Sequence, residues 1–87
     1  MASRKPSRCG AVVWCQIDDA MALYDTRIGI VHILNETAAA IWTLCDGTRT
    51  TNGIALELLK RIEVSRGVLS ADVRSLLKEF RARRLLE

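Results

Sequence analysis

Four side chains in this sequence could serve as nucleophile, base or soft metal ligand: Cys9, Cys15, Cys45 and the single histidine, His32. A thiolate–imidazole pair would require Cys45 and His32 to meet. Cys45 shares the i, i+3, i+4, i+7 stripe of Ala38, Ile41 and Trp42, a core position at which thiols are inert. His32 alternates with isoleucines on an extended run and reads as a packed or rim histidine. One histidine, no CxxC, and cysteine gaps of six and thirty residues match no zinc module. Asp18-Asp19 reads as a turn rather than a paired-carboxylate site, and no glycine-rich phosphate loop is present. The chemistry-bearing residues therefore predict a non-catalytic chain with no metal and no cofactor.

The charge pattern points to binding instead. The 87 residues carry a net charge of +3, with 49% apolar and 26% charged residues, as in an ordinary folded domain. Residues 60–87 hold eight bases against four acids, whereas 11–59 hold two bases against six acids. A basic last third fits nucleic acid or an acidic peptide or protein, and a solvated helix face is the plain alternative. The longest apolar runs are five residues, where a membrane span needs about 20. Met1 to Lys5 is followed by no apolar segment, so no secretory signal is read and a cytoplasmic, reducing location with free thiols is expected.

These residues need elements to position them. Residues 1–11 are polar, contain the one proline, Pro6, and read as a flexible arm ahead of a single domain over 12–87. Val12 to Ile17, Ala20 to Tyr24 and Ile28 to Leu34 are three extended runs separated by Asp18-Asp19 and Asp25-Thr26-Arg27, the pattern of an antiparallel meander. Both faces of the third run are apolar. It has no lysine or proline to blunt an edge, which fits an open edge strand or a central strand flanked on both sides. Trp14 reads as core, with a partner-facing anchor as the other reading.

Asn35 caps a first helix that Asp46-Gly47 ends, and Thr50 or Thr51 caps a second with Ile54, Leu58, Leu59 and Ile62 inward. Val64 to Leu69 reads as a connector around Gly67. Ser70 then caps a third helix with Val73, Leu76, Leu77 and Phe80 inward. Arg74, Lys78 and Arg81 form a basic face beside that stripe. The expected fold is α+β and winged-helix-like, an N-terminal three-stranded antiparallel sheet followed by a three-helix bundle, because so small a sheet must bury its face on helices.

Residues Ala20 to Leu86 resemble the PqqD-like family, the RiPP recognition elements. The likeness rests on Leu23-Tyr24-Asp25, the block Leu34-Asn35-Glu36-Thr37-Ala38-Ala39-Ala40-Ile41-Trp42, Leu44-Cys45-Asp46-Gly47-Thr48-Arg49-Thr50, Ile54 to Leu58, Asp72-Val73, Leu76-Leu77 and Leu85-Leu86. Two positions depart from it. Gly53 stands where the family usually has an acidic or helix-forming residue, and Arg84 stands where a glycine commonly precedes the last leucines.

The resemblance implies a domain that binds the leader of a ribosomally made precursor peptide and presents it to separate maturation enzymes. It implies that the leader adds a strand to the third strand's edge and lies against the third helix. The expected contacts are Ile28, Ile30, Val31, His32 and Ile33 with Val73, Arg74, Leu77, Lys78 and Arg81, Leu77 serving as apolar anchor beside three cations. Lasso peptide pathways, with a leader peptidase and a cyclase, are the nearer likeness, and a PqqD-type chaperone of pyrroloquinoline quinone synthesis is the alternative. The expected state is a monomer or a domain-swapped dimer, with neither membrane nor nucleic acid as partner. A winged-helix nucleic-acid binder is the rival; the long Ile62 to Ser70 stretch and a hairpin ahead of the helices argue against it.

Overall fold

The computed structural model describes residues 5–61 and 66–87. Strands β1 (Val12–Ile17), β2 (Ala20–Asp25) and β3 (Ile30–Leu34) form one antiparallel sheet in the order β1-β2-β3, followed by α1 (Glu36–Leu44), α2 (Thr51–Leu59) and α3 (Arg66–Ala82). The expected architecture of three antiparallel strands followed by three helices is the observed one. Ile17 pairs with Ala20, leaving Asp18-Asp19 as a two-residue loop, with Asp18 at φ 53°. Aspartate accepts the left-handed conformation that tight hairpin loops use.

The second connection corrects the third run. Asp25 pairs with Ile30. The Gly29 amide donates to the Asp25 carbonyl at 2.8 Å, and Gly29 lies at φ +69°. Ile28 is therefore a turn residue, not part of the strand. A local clamp stabilises this turn. Arg27 donates Nε and Nη2 to the two Asp25 carboxylate oxygens at 2.9 Å each, and Nη2 also donates to the Arg84 carbonyl at 2.7 Å. The Arg27 guanidinium holds the Asp25 carboxyl below the usual carboxylate range, against the opposing effect of burial.

Cross-strand register sorts the sheet's faces. Met21, Leu23 and Leu34 are buried toward the helices. Val13, Tyr24 and Val31 form an exposed row on the other side, next to Cys15, Ala22 and Ile33. Trp14 corrects the expectation of a core tryptophan. It pairs with buried Leu23 but stands on the outermost strand, 44% exposed, with the Arg8 guanidinium 5.5 Å above its ring.

Asn35 Oδ1 accepts from the Ala38 amide at 2.9 Å and caps α1. Of the two candidate threonines, Thr50 caps α2, its Oγ1 accepting from the Gly53 amide at 3.1 Å. Helix α3 spans Arg66–Ala82, so Gly67 and Leu69 are helical and Ser70 is not its cap. A glycine inside a helix costs about 1 kcal/mol, whereas burying a leucine is worth about 2 kcal/mol. Leu69 is fully buried on the same stripe as Val73, Leu77 and Phe80. The Ile62 expected on α2 lies outside the described residues. At the centre, Trp42 meets Phe80 edge-to-face with centroids 5.7 Å apart.

The ends of the domain are stitched together. The Leu85 amide donates to the Phe80 carbonyl at 2.9 Å, and Arg84 sits at φ 57°. This is a left-handed helix stop that ordinarily takes glycine, so the departure at Arg84 leaves the turn intact but strained. The arm expected over 1–11 is not loose along residues 6–9. Pro6 is buried, Ser7 bridges Asp46, and Arg8 bridges Leu86. Arg8 Nη1 donates to the Trp42 and Thr43 carbonyls at 3.2 and 2.8 Å, covering the C-terminal end of α1, whose last turn carries no base of its own. No described helix is long and apolar enough to cross a membrane.

Candidate functional site

Among the described residues strand β3 pairs with β2 on one side only. Along its other side every second residue presents an unpaired N–H and C=O. Beside this edge lies a cavity of about 410 Å³ between β3 and α3. Val31, His32, Ile33 and Leu34 form its strand wall; Leu76, Glu79, Phe80 and Arg83 form its helix wall; Asn35, Ala38 and Leu85 close the ends.

Each wall follows from local rules. Alternation along β3 turns Leu34 into the core while Val31 and Ile33 stay exposed. Leu76, Glu79, Phe80 and Arg83 stand at i, i+3, i+4 and i+7 and therefore share one flank of α3. The floor is apolar, with buried Leu34, Ala38, Phe80 and Leu85. The rim is charged: Arg83 Nη2 bonds Glu79 Oε1 at 3.2 Å, and Arg83 Nη1 lies 3.4 Å from His32 Nδ1. An extended peptide laid along β3 would find backbone partners and, at alternate residues, an apolar recess with a polar lip.

The residues singled out in the sequence divide three ways. Ile30, Val31, His32 and Ile33 stand on the open strand, and Ile28 is exposed in the turn before it. Val73 and Leu77 are 0% and 1% exposed, so they belong to the core and Leu77 is no surface anchor. Arg74, Lys78 and Arg81 are exposed, but they line a different cleft, with Leu77 and with Thr50, Thr51 and Asn52. The structure does not bring them to β3. Sequence reasoning missed Leu76, Glu79, Phe80 and Arg83 as one face. Their helical spacing was a visible signal, but it does not say which flank of the stripe meets the sheet.

Cys45 and His32 are not assembled as a catalytic pair. The Cys45 thiol is buried, donates to the Ile41 carbonyl at 3.2 Å, and is pushed up to about 11 by desolvation. It holds negligible thiolate at neutral pH. Among the described residues no cluster of three or more His, Cys, Asp or Glu side chains could hold a metal ion.

No curated protein matches the chain. Among solved structures, TbiB1 in complex with the TbiA(beta) leader peptide aligns with TM-score 0.83 and 26% identity over 93% of this chain and 94% of that one. A lasso peptide synthetase B1 complexed with the leader peptide aligns with TM-score 0.83 and 24% identity over 95% and 98%, which speaks to the fold. The family described as coenzyme PQQ synthesis protein D (PqqD) matches residues 20–86. The sheet, the helical block and the sequence landmarks that join them converge on one conclusion: this chain belongs to the PqqD family.

Proposed function

We propose that this chain is a non-catalytic recognition element for the leader of a ribosomally made precursor peptide. The leader adds a fourth strand to the open edge of β3 and sets alternate side chains into the recess against Leu76 and Phe80. The bound precursor is then presented to separate maturation enzymes, a leader peptidase and a cyclase, in a lasso peptide pathway. One observation carries this reading: an unpaired apolar strand edge runs beside a preformed cavity, in a chain that shares its fold and 26% identity with a protein solved bound to a leader peptide. The family match itself favours a second pathway for the same binding act, chaperoning a precursor in pyrroloquinoline quinone synthesis.

Isothermal titration of the purified chain with the leader of the precursor encoded beside it tests the reading. Saturable one-to-one binding at micromolar protein is expected. No heat and no binding at that concentration would remove it. The enzymes encoded alongside, a peptidase and cyclase or a radical enzyme of quinone synthesis, distinguish the two pathways.

A further inference from the structure

The basic flank of α3 does not line the groove against β3. At 3.6 residues per turn, Arg74, Lys78 and Arg81 point about 180° away from Leu76, Glu79, Phe80 and Arg83. They line a cleft of about 540 Å³ whose opposite wall is the first turn of α2, Thr50 to Asn52. No acidic side chain lines this cleft, and α2 has none in its first turn. Among the described residues, Arg27, Arg49, Lys60, Arg61 and Arg83 are each paired with a carboxylate. Arg74, Lys78 and Arg81 make no such pair. Three unpaired cations thus face the positive end of a helix dipole, an arrangement that repels itself until an anion enters.

We propose that this cleft is a second docking site, separate from the leader groove, for an aspartate- or glutamate-rich segment of a polypeptide partner. The three cations span about 10 Å along α3, the reach of two to three carboxylates on alternate residues of an extended chain. A nucleic acid fits less well. No aromatic side chain lines the cleft to stack a base. The cations also sit in a recess flanked by α2 rather than on a free helix that could enter a major groove about 12 Å wide. The two sites lie on opposite flanks of one helix, so a precursor and a second protein can occupy the chain together.

The test uses the full chain and a fluorescein-labelled hexaglutamate peptide read by anisotropy, with hexaglutamine as neutral control. Hexaglutamate should bind measurably, and more weakly as salt rises. The triple substitution Arg74→Gln, Lys78→Gln, Arg81→Gln should weaken it about tenfold and leave leader titration unchanged within about twofold. Asn52→Asp gives a second readout. It should raise the thermal midpoint, because a carboxylate suits a helix N-terminus, yet weaken hexaglutamate about threefold. Equal binding of hexaglutamine, or an unaffected triple variant, would overturn the proposal. So would an oligonucleotide of equal charge binding more tightly, inorganic phosphate displacing hexaglutamate charge for charge, or equal loss of leader binding in the triple variant. A chain that binds hexaglutamate but no leader would sink the leader reading and leave this one standing.

Discussion

Among the described residues the sheet has two unpaired edges, β1 and β3, and they differ in what lies beside them. β3 packs on α1 and stands across a cavity of about 410 Å³ from α3, whereas β1 sends only Val12 into the core and reaches, through Gln16, a smaller cavity of about 230 Å³ against α1. Past Val12 every residue of β1 is exposed. A strand added to β1 would gain backbone hydrogen bonds, each worth about 1 kcal/mol net, and little else. A strand added to β3 gains those bonds and a recess in which apolar side chains are desolvated. An open edge therefore supplies pairing, and the helix beside it supplies selectivity.

The largest effect should come from breaking the β3 edge. N–H groups alternate between β2 and the free side, so Val31→Pro and His32→Pro differ in which ladder they cut. The one that removes an outward donor should stay folded by circular dichroism and lose leader binding by about a hundredfold or more. Proline at Val13 on β1 should leave the affinity of the folded protein intact. Two folded β3 proline variants with unchanged affinity would mean that the leader does not pair with this edge.

Next in size is the contrast between adjacent leucines. Leu76→Ala should weaken leader binding roughly 10- to 30-fold, as for an anchor in a desolvated pocket. Leu77→Ala should instead cost about 2–5 kcal/mol of stability in urea melts, with little change in the affinity of the folded fraction. The reverse pattern would return Leu77 to the binding surface.

A smaller effect follows from the clamp behind β3. The folded Asp25 carboxyl titrates below its unfolded value, held there first by the Arg27 hydrogen bond. Its contribution is complete above about pH 4 and is lost as pH falls through the depressed folded value. Thermal midpoints should therefore drop on acidification below about pH 4, and Asp25→Asn should flatten that drop. The loss should fall on the turn between β2 and β3 and on the C-terminal strap that Arg27 holds at Arg84, not on the β1 hairpin. Amide exchange resolved by residue would show this. Smallest is Arg84→Gly. Relief of a left-handed residue is worth roughly 1–2 kcal/mol, partly offset by the wider unfolded ensemble of glycine, about 0.4–1 kcal/mol. A net gain of up to about 1.5 kcal/mol is expected from urea melts, with leader affinity unchanged.

Local signals in the sequence carried far. The hairpin at Asp18-Asp19, the caps at Asn35 and Thr50, and the core positions Ile41, Trp42, Cys45, Ile54, Leu58, Val73, Leu77 and Phe80 follow from turn chemistry and periodicity. They recur in the structure because each depends on near neighbours in the chain. Errors arose where a distant partner outweighed a local cue. Gly67 reads as a breaker, yet α3 runs through it because Leu69 finds a place in the core. The N-terminal segment reads as an arm, yet its carbonyls and amides meet residues 45–47 and 85–87.

The sequence by itself determined the order of elements, the buried stripe of α3 and the absence of lysine and proline from β3, a composition that suits an edge and a central strand alike. Periodicity and composition are properties of the chain that need no partner to be read. Only the tertiary structure decided which flank of α3 lies against that strand. A buried stripe fixes a helix's rotation toward the core, and the flanks on either side of it are equivalent until packing places one beside β3 and the other beside α2. That choice put Leu76 and Phe80, rather than Arg74, Lys78 and Arg81, at the open edge, and left the three cations facing the start of α2.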